Sequence, residues 1–347
     1  MKIEKRNVKS SAGDITIYKI TNNHGAWVEL SSLGAGILGV GVPDKEGNIE
    51  NVALAYADPA DYMADGPCLG KCPGRYANRI AGGNLTVDGK SYQLAVNNGP
   101  NHLHGGPDGF QNKLWESRET PDGVEFSYRS ADGEENYPGN LTIKAIYTWS
   151  DDNTLTLRFE AESDADTVIN MTNHAYWNLR GADSGTALDH ELRIRAAKWL
   201  PTDSTLIPSG ELRDVAGSPM DFREFKAVGR DIKADFDALQ YGKGYDNCWA
   251  IDDWEPGRMS KEAVVLRDPA SGRKLTVDSD QPGVQIYSGN WLAGSPLNHS
   301  GRSYEDYEGV AIEMQGFPDA PNKPEFPSQL LKAGEKYMRT ISFKFEV

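Results

Sequence analysis

The chain has 347 residues, enough for one large domain or two ordinary ones with a substantial core. Its 51 acidic residues against 36 basic ones give a formal charge of −15, which repels nucleic acid and anionic membrane surfaces and excludes polyanions as partners. Three cysteines with no paired C-x-x-C unit argue against a disulfide framework or a cysteine zinc site, and no apolar run approaches the roughly 20 residues that span a bilayer.

The N-terminal residues Met1 to Ser11 are polar, with no apolar stretch of the signal-peptide kind behind them, so a soluble, cytoplasmic protein is expected. Glycine and proline are spread evenly and no linker interrupts the pattern, which predicts one continuous domain over residues 1–347. In chain order, short alternating runs flank turn signals. The first is Leu85 to Val87 and Tyr92 to Leu94 around Asp88-Gly89, the next Trp115 to Tyr128 around Pro121-Asp122-Gly123. Leu141 to Glu162 around Asp151 to Asn153, and Val264 to Val277 around Pro269 to Gly272, repeat it. Each predicts an antiparallel hairpin. Phe225 to Leu239 places Val228, Ile232, Phe236 and Leu239 at helical spacing and predicts one short amphipathic helix. Tyr337 to Val347 alternates again and reads as a closing strand. Many strands without regular strand-helix alternation predict an all-β sandwich.

Six polar segments interrupt this pattern. Gly74 to Gly83 carries Arg75, Asn78 and Arg79, which can donate to hydroxyls or pair with carboxylates; a structural ion pair is the plainer role. Asn101 to Gly106 carries His102 and His104, two of only six histidines, which share a face if the backbone is extended. That spacing invites zinc, but no third ligand and no H-E-x-x-H pattern accompanies it, so no metal and no cofactor is expected. Asn170 to Leu179 sets His174 between amides able to fix its tautomer and aromatics able to stack on a sugar. Tyr245 to Cys248 offers Asp246, Gln285 to Asn290 offers Gln285, and Gly309 to Asn322 sets Glu313 in an otherwise apolar strand. A carboxylate in that position is paired or shifted in acidity, because burying it alone is costly.

These segments, G-R-Y-A-N-R-I, H-L-H-G-G, T-N-H-A-Y-W-N-L, Y-D-N, Q-I-Y-S-G-N and E-M-Q-G-F-P-D-A-P-N, with S-A-D-G-E-E-N-Y-P-G-N-L at Ser130 to Leu141, resemble the signature stretches of the aldose 1-epimerase (galactose mutarotase) family. The resemblance implies a large twisted antiparallel β-sandwich that interconverts the α and β anomers of a free aldohexose, acting as a monomer or weak homodimer. It implies Glu313 as general base and His174 as general acid, with Asn78, Arg79, His104, Asp246 and Gln285 holding the sugar. The family pattern keeps one histidine in the H-G-G stretch, so His102 is read as a support for His104, and Asn247 stands where many relatives carry histidine. Such chemistry needs a proton removed from the anomeric hydroxyl while another reaches the ring oxygen. A glycosidase using Glu313 and Asp246, or a carbohydrate-binding module using Trp177 as a platform, is the competing expectation.

Overall fold

The computed structural model describes residues 1–347, the side chain of Ala64 excepted. Three antiparallel sheets make up most of it. A five-stranded sheet runs in chain order through Lys2–Ser10, Gly13–Thr21, Trp27–Ser31, Gly36–Pro43 and Ile49–Asn51. A nine-stranded sheet is ordered Glu116–Thr120, Gly123–Ser130, Leu141–Trp149, Thr154–Ser163, Lys336–Glu346, Lys274–Ser279, Ser260–Arg267, Glu191–Ile194 and Lys226–Ala227. The third sheet is ordered Tyr176–Trp177, Val310–Gln315, Gly283–Tyr287, Asp246–Ala250, Lys198–Trp199 and Arg213–Asp214. The all-β sandwich is as expected, and the four hairpins and the closing strand form where the turns place them.

The helix expected over 225–239 does not form. Lys226–Ala227 pairs with the nine-stranded sheet, and the Val228 and Gly229 amides donate to His190 and Leu188 carbonyls rather than along a helix. Leu188 approaches so closely that a Cβ on Gly229 would stand 2.9 Å from it. The apolar residues are indeed inside, Val228 through a strand and loop and Leu239 from the α-helix, which is confined to Asp237–Gly242.

The third sheet positions everything that follows. Strand side chains alternate between faces, and here Trp249, Val284, Ile286, Val310, Ile312 and Met314 enter the main core. Trp177 packs at 5.3 and 5.4 Å from Phe343 and Phe345 of the nine-stranded sheet, so these two sheets lie face to face. The residues between them in sequence, Asp246, Gln285, Tyr287 and Glu313, necessarily point to the opposite face. Register aligns them: Gln285 lies opposite Glu313, and Tyr287 opposite Asp246. A slip of one residue would bury Glu313 among Trp177 and the phenylalanines, so the apolar packing that fixes register also fixes the carboxylate.

Candidate active site

Glu313 is 2 % exposed, and its Oε1 lies 3.5 Å from His174 Nε2. Its other oxygen has no protein partner. Burial pushes the Glu313 carboxyl well above the usual carboxylate range; the neighbouring Asp246 adds to this and Arg79 opposes it. Burial pulls the His174 imidazole down to about 4, with Asp246 opposing and the buried Lys71 assisting. Desolvation penalises the charged form of each, which favours the neutral imidazole and the protonated carboxyl. His174 is held by its backbone, whose amide donates to Lys71 O at 2.9 Å and whose carbonyl accepts from Gly70. Its ring forms a cluster with Tyr176, at 4.9 Å, and Tyr287, at 6.2 Å, the two tyrosines being 5.9 Å apart. The flanking amides do not fix its tautomer: Asn173 Nδ2 donates to Gly70 O at 2.7 Å, and its Oδ1 accepts from the Ala175 amide.

His104 enters from another element. Asn78 and His104 both adopt left-handed backbone, at φ 63° and 53°. The Arg79–Ile80 strand pairs with His102–Leu103, and this crossing lets the Asn78 amide donate to His104 Nδ1 at 3.1 Å while the His104 amide donates back to Asn78 O at 3.0 Å. An imidazole that accepts at Nδ1 carries its proton on Nε2. His104 is therefore a neutral hydrogen-bond donor at its free nitrogen, and burial, with His174 and Arg79 nearby, holds its pKa well below the ordinary imidazole value. Its ring is 5.4 Å from that of His174.

Arg79 donates through Nε to Asn98 at 3.2 Å, and its Nη2 lies 3.6 Å from Asp246 Oδ2. Asp246 in turn accepts from Gln285 Nε2 at 2.7 Å. The seven residues expected at the site thus form one connected group around the Glu313 carboxyl.

Other expectations need correction. His102 does not share a face with His104, because the left-handed turn at His104 breaks the extended backbone. Its ring nitrogens bond Ala95 O and Tyr137 OH, both at 2.6 Å, which anchors the strand rather than His104. Arg75 is no ion pair: it is 2 % exposed and donates to Pro138 O, Gly139 O and Thr167, tying G-R-Y-A-N-R-I to the Ser130 to Leu141 stretch. Trp177 is fully buried and offers no platform. The fold does not complete the His102–His104 pair but brings His104 to other groups: ligand atoms of His104, His174 and Glu313 lie within 4.8 Å of one another. A metal-bound histidine normally donates its other ring N–H to an acceptor, whereas His104 meets a donor there, so this trio suits hydroxyl recognition better than a cation. Sequence reasoning missed Tyr287 and Asn98. Alternation with Gln285 pointed to the first; the second sits in an Asn98-Gly99-Pro100 turn with no distinctive pattern.

The remaining signature residues tie the segments together. Asn170 donates to Ala77 O and accepts from the Gly316 amide, and the Asp319 amide donates to Arg79 O at 2.8 Å. The chain matches the family model described as aldose 1-epimerase over residues 16–344. It is 41 % identical to a galactose mutarotase from Bos taurus, covering 92 % of this chain and 91 % of that one. It is 36 % identical to an aldose 1-epimerase from Escherichia coli K12, covering 94 % of each. Among solved structures, a GalM/aldose epimerase homologue from C. elegans superimposes with a TM-score of 0.87 at 30 % identity, over 99 % of both chains.

Proposed function

Because the chain belongs to the aldose 1-epimerase family, we infer that it interconverts the α and β anomers of a free aldose by opening and reclosing the hemiacetal ring. The observation that carries the mechanism is the buried Glu313–His174 pair, whose Oε1 and Nε2 lie 3.5 Å apart. With the proton on His174, Glu313 takes the anomeric hydroxyl proton while His174 protonates the ring oxygen, and the C1–O5 bond breaks to leave the aldehyde. The carbonyl then rotates about C1–C2. Reclosure from the other face runs the same transfers backward, so acid and base are restored. Asn78, Arg79, His104, Asp246 and Gln285 hold the hydroxyls, with His104 donating from Nε2.

The depressed imidazole and raised carboxyl also favour a second reading, in which the protonated Glu313 is the acid and His174 the base. The two differ by one proton transfer across the pair. An infrared carbonyl band of protonated Glu313 that persists with a bound cyclic analogue, and is lost in E313Q, would select the second.

The test of the reading as a whole is polarimetry on fresh α-D-galactose and α-D-glucose after dialysis against chelator. Wild type speeds the approach to equilibrium, and E313Q, which keeps the shape but loses proton exchange, abolishes nearly all of that acceleration. Full activity in E313Q overturns the assignment. A binding module is not favoured with Trp177 in the core, nor a glycosidase with Asp246 engaged by Arg79 and Gln285. The same reading takes residues 1–347 as one domain, supported by a core cluster running from Tyr18 to Phe345, and as a monomer or weak homodimer. A cytoplasmic location fits the three free cysteines. Among the described residues no helix is long and apolar enough to cross a membrane.

A further inference from the structure

Trp291 is 66 % exposed, the most exposed large hydrophobic residue described. It follows directly on Q-I-Y-S-G-N, and its backbone amide donates to Tyr287 OH at 3.0 Å, at the tip of the ring that flanks His174. Lys243, immediately after the Asp237–Gly242 helix, places its Nζ 4.2 Å from the centroid of the Trp291 ring. Lys243 is itself anchored on Asp306, which also accepts the Leu292 and Ala293 amides, so the indole sits on an ordered loop. Gly242, beside Lys243, is packed so tightly on Asp246 that an added Cβ would stand 3.3 Å from the Asp246 Cβ. Trp291 is therefore linked through Tyr287 to the His174 side of the site and through Lys243 to the segment packed on Asp246. With a cation on one face, only the other is free to take an apolar ligand surface.

We propose that Trp291 is a substrate-binding residue, stacking its free face on the C–H face of the sugar ring held between Asp246 and His174. An indole pairs an apolar face with the C–H face of a pyranose without competing for its hydroxyls. This rests on the site assignment above, and its test is separable from it.

Acrylamide quenching reads Trp291 directly, because Trp27 and Trp254 are half-buried and the other five tryptophans are at most 3 % exposed. Galactose should protect the quenchable fluorescence in wild type and in E313Q, and that protection should vanish in W291F. W291A should raise KM about three- to tenfold at constant kcat, with W291F recovering part of the loss. Absent protection in wild type, or an unchanged KM in W291A, overturns the proposal even when E313Q is inactive. A fully active E313Q would instead overturn the acid–base assignment and leave the quenching result standing.

Discussion

The bond from the Asn78 amide to His104 Nδ1 separates two jobs of one side chain, and two substitutions separate them experimentally. Asparagine places an oxygen where Nδ1 lies, so H104N keeps the acceptor for Asn78 and loses the outward donor. Glutamine places an amide nitrogen near Nε2, so H104Q keeps the donor and loses the acceptor. Leaving the buried Asn78 amide without an acceptor costs about 1–3 kcal/mol. Water reaching the partly exposed His104 position brings H104Q toward the lower end, about 1 kcal/mol. Losing the donor to a sugar hydroxyl costs about 1–2 kcal/mol of transition-state binding, roughly a five- to thirtyfold fall in kcat/KM. Urea unfolding and polarimetric progress curves on both variants measure the two quantities. H104N should be stable and poor, H104Q less stable and the better catalyst. If both variants lose activity equally while stability is untouched, or if H104N retains full kcat/KM, the fixed tautomer is wrong.

The pH profile follows from the depressed His174 imidazole and the raised Glu313 carboxyl. The pair gains a second proton only near the depressed His174 value of about 4, so kcat/KM should hold from neutrality downward and fall around that pH. The alkaline limb reports ionisation of the raised Glu313 carboxyl. D246N removes a charge that raises it and should move that limb to lower pH, whereas R79M should move it higher. Asp246→Ala and Arg79→Ala should each raise KM more than they lower kcat, as steady-state kinetics will show; unchanged KM in both removes them from the sugar site. His190, fully buried with Nε2 accepting from the Leu179 amide, is depressed from 6.5 to about 4. Between those values the unfolded chain holds a proton that the folded chain does not, so stability present above pH 6.5 is lost as pH falls. The shift of about 2.5 units is worth on the order of 3 kcal/mol. Urea midpoints at pH 7 and 4.5 should diverge more in wild type than in H190Q.

The hairpins were legible in the sequence because their information is local: a turn dipeptide and a two-residue alternation are decided within a dozen residues. The 225–239 segment misled for a related reason. Its apolar spacing describes which side chains go inside: a strand followed by a loop buries Val228 and Ile232 without helical hydrogen bonds, and only Leu239 is buried from the short helix Asp237–Gly242. Each signature segment was visible as a polar interruption, but its chemistry was legible only through the family resemblance. Nothing near Gln285 in sequence says that it faces Glu313, nor near Asn78 that its backbone amide sets the tautomer of His104. Those relations arise from sheet order and from a crossing of two short strands. His102 shows the converse, a histidine that looks functional by composition and is satisfied entirely by Ala95 and Tyr137.

The three thiols have a use beyond packing. Cys68, Cys72 and Cys248 are each at most 7 % exposed, and burial lifts Cys72 up to about 11 and the other two higher still. Cys248 lies in the register row of Gln285 and Glu313, whereas Cys72 shares a hydrogen bond with Tyr147 of the nine-stranded sheet. A thiol reagent at neutral pH then reacts only as fast as the surrounding sheets part. The labelling rates become clocks placed at two depths of the molecule. Cys248 would time the opening of the catalytic face, Cys72 that of the interior, and a sugar that slows only the first would show how far its hold extends into the protein.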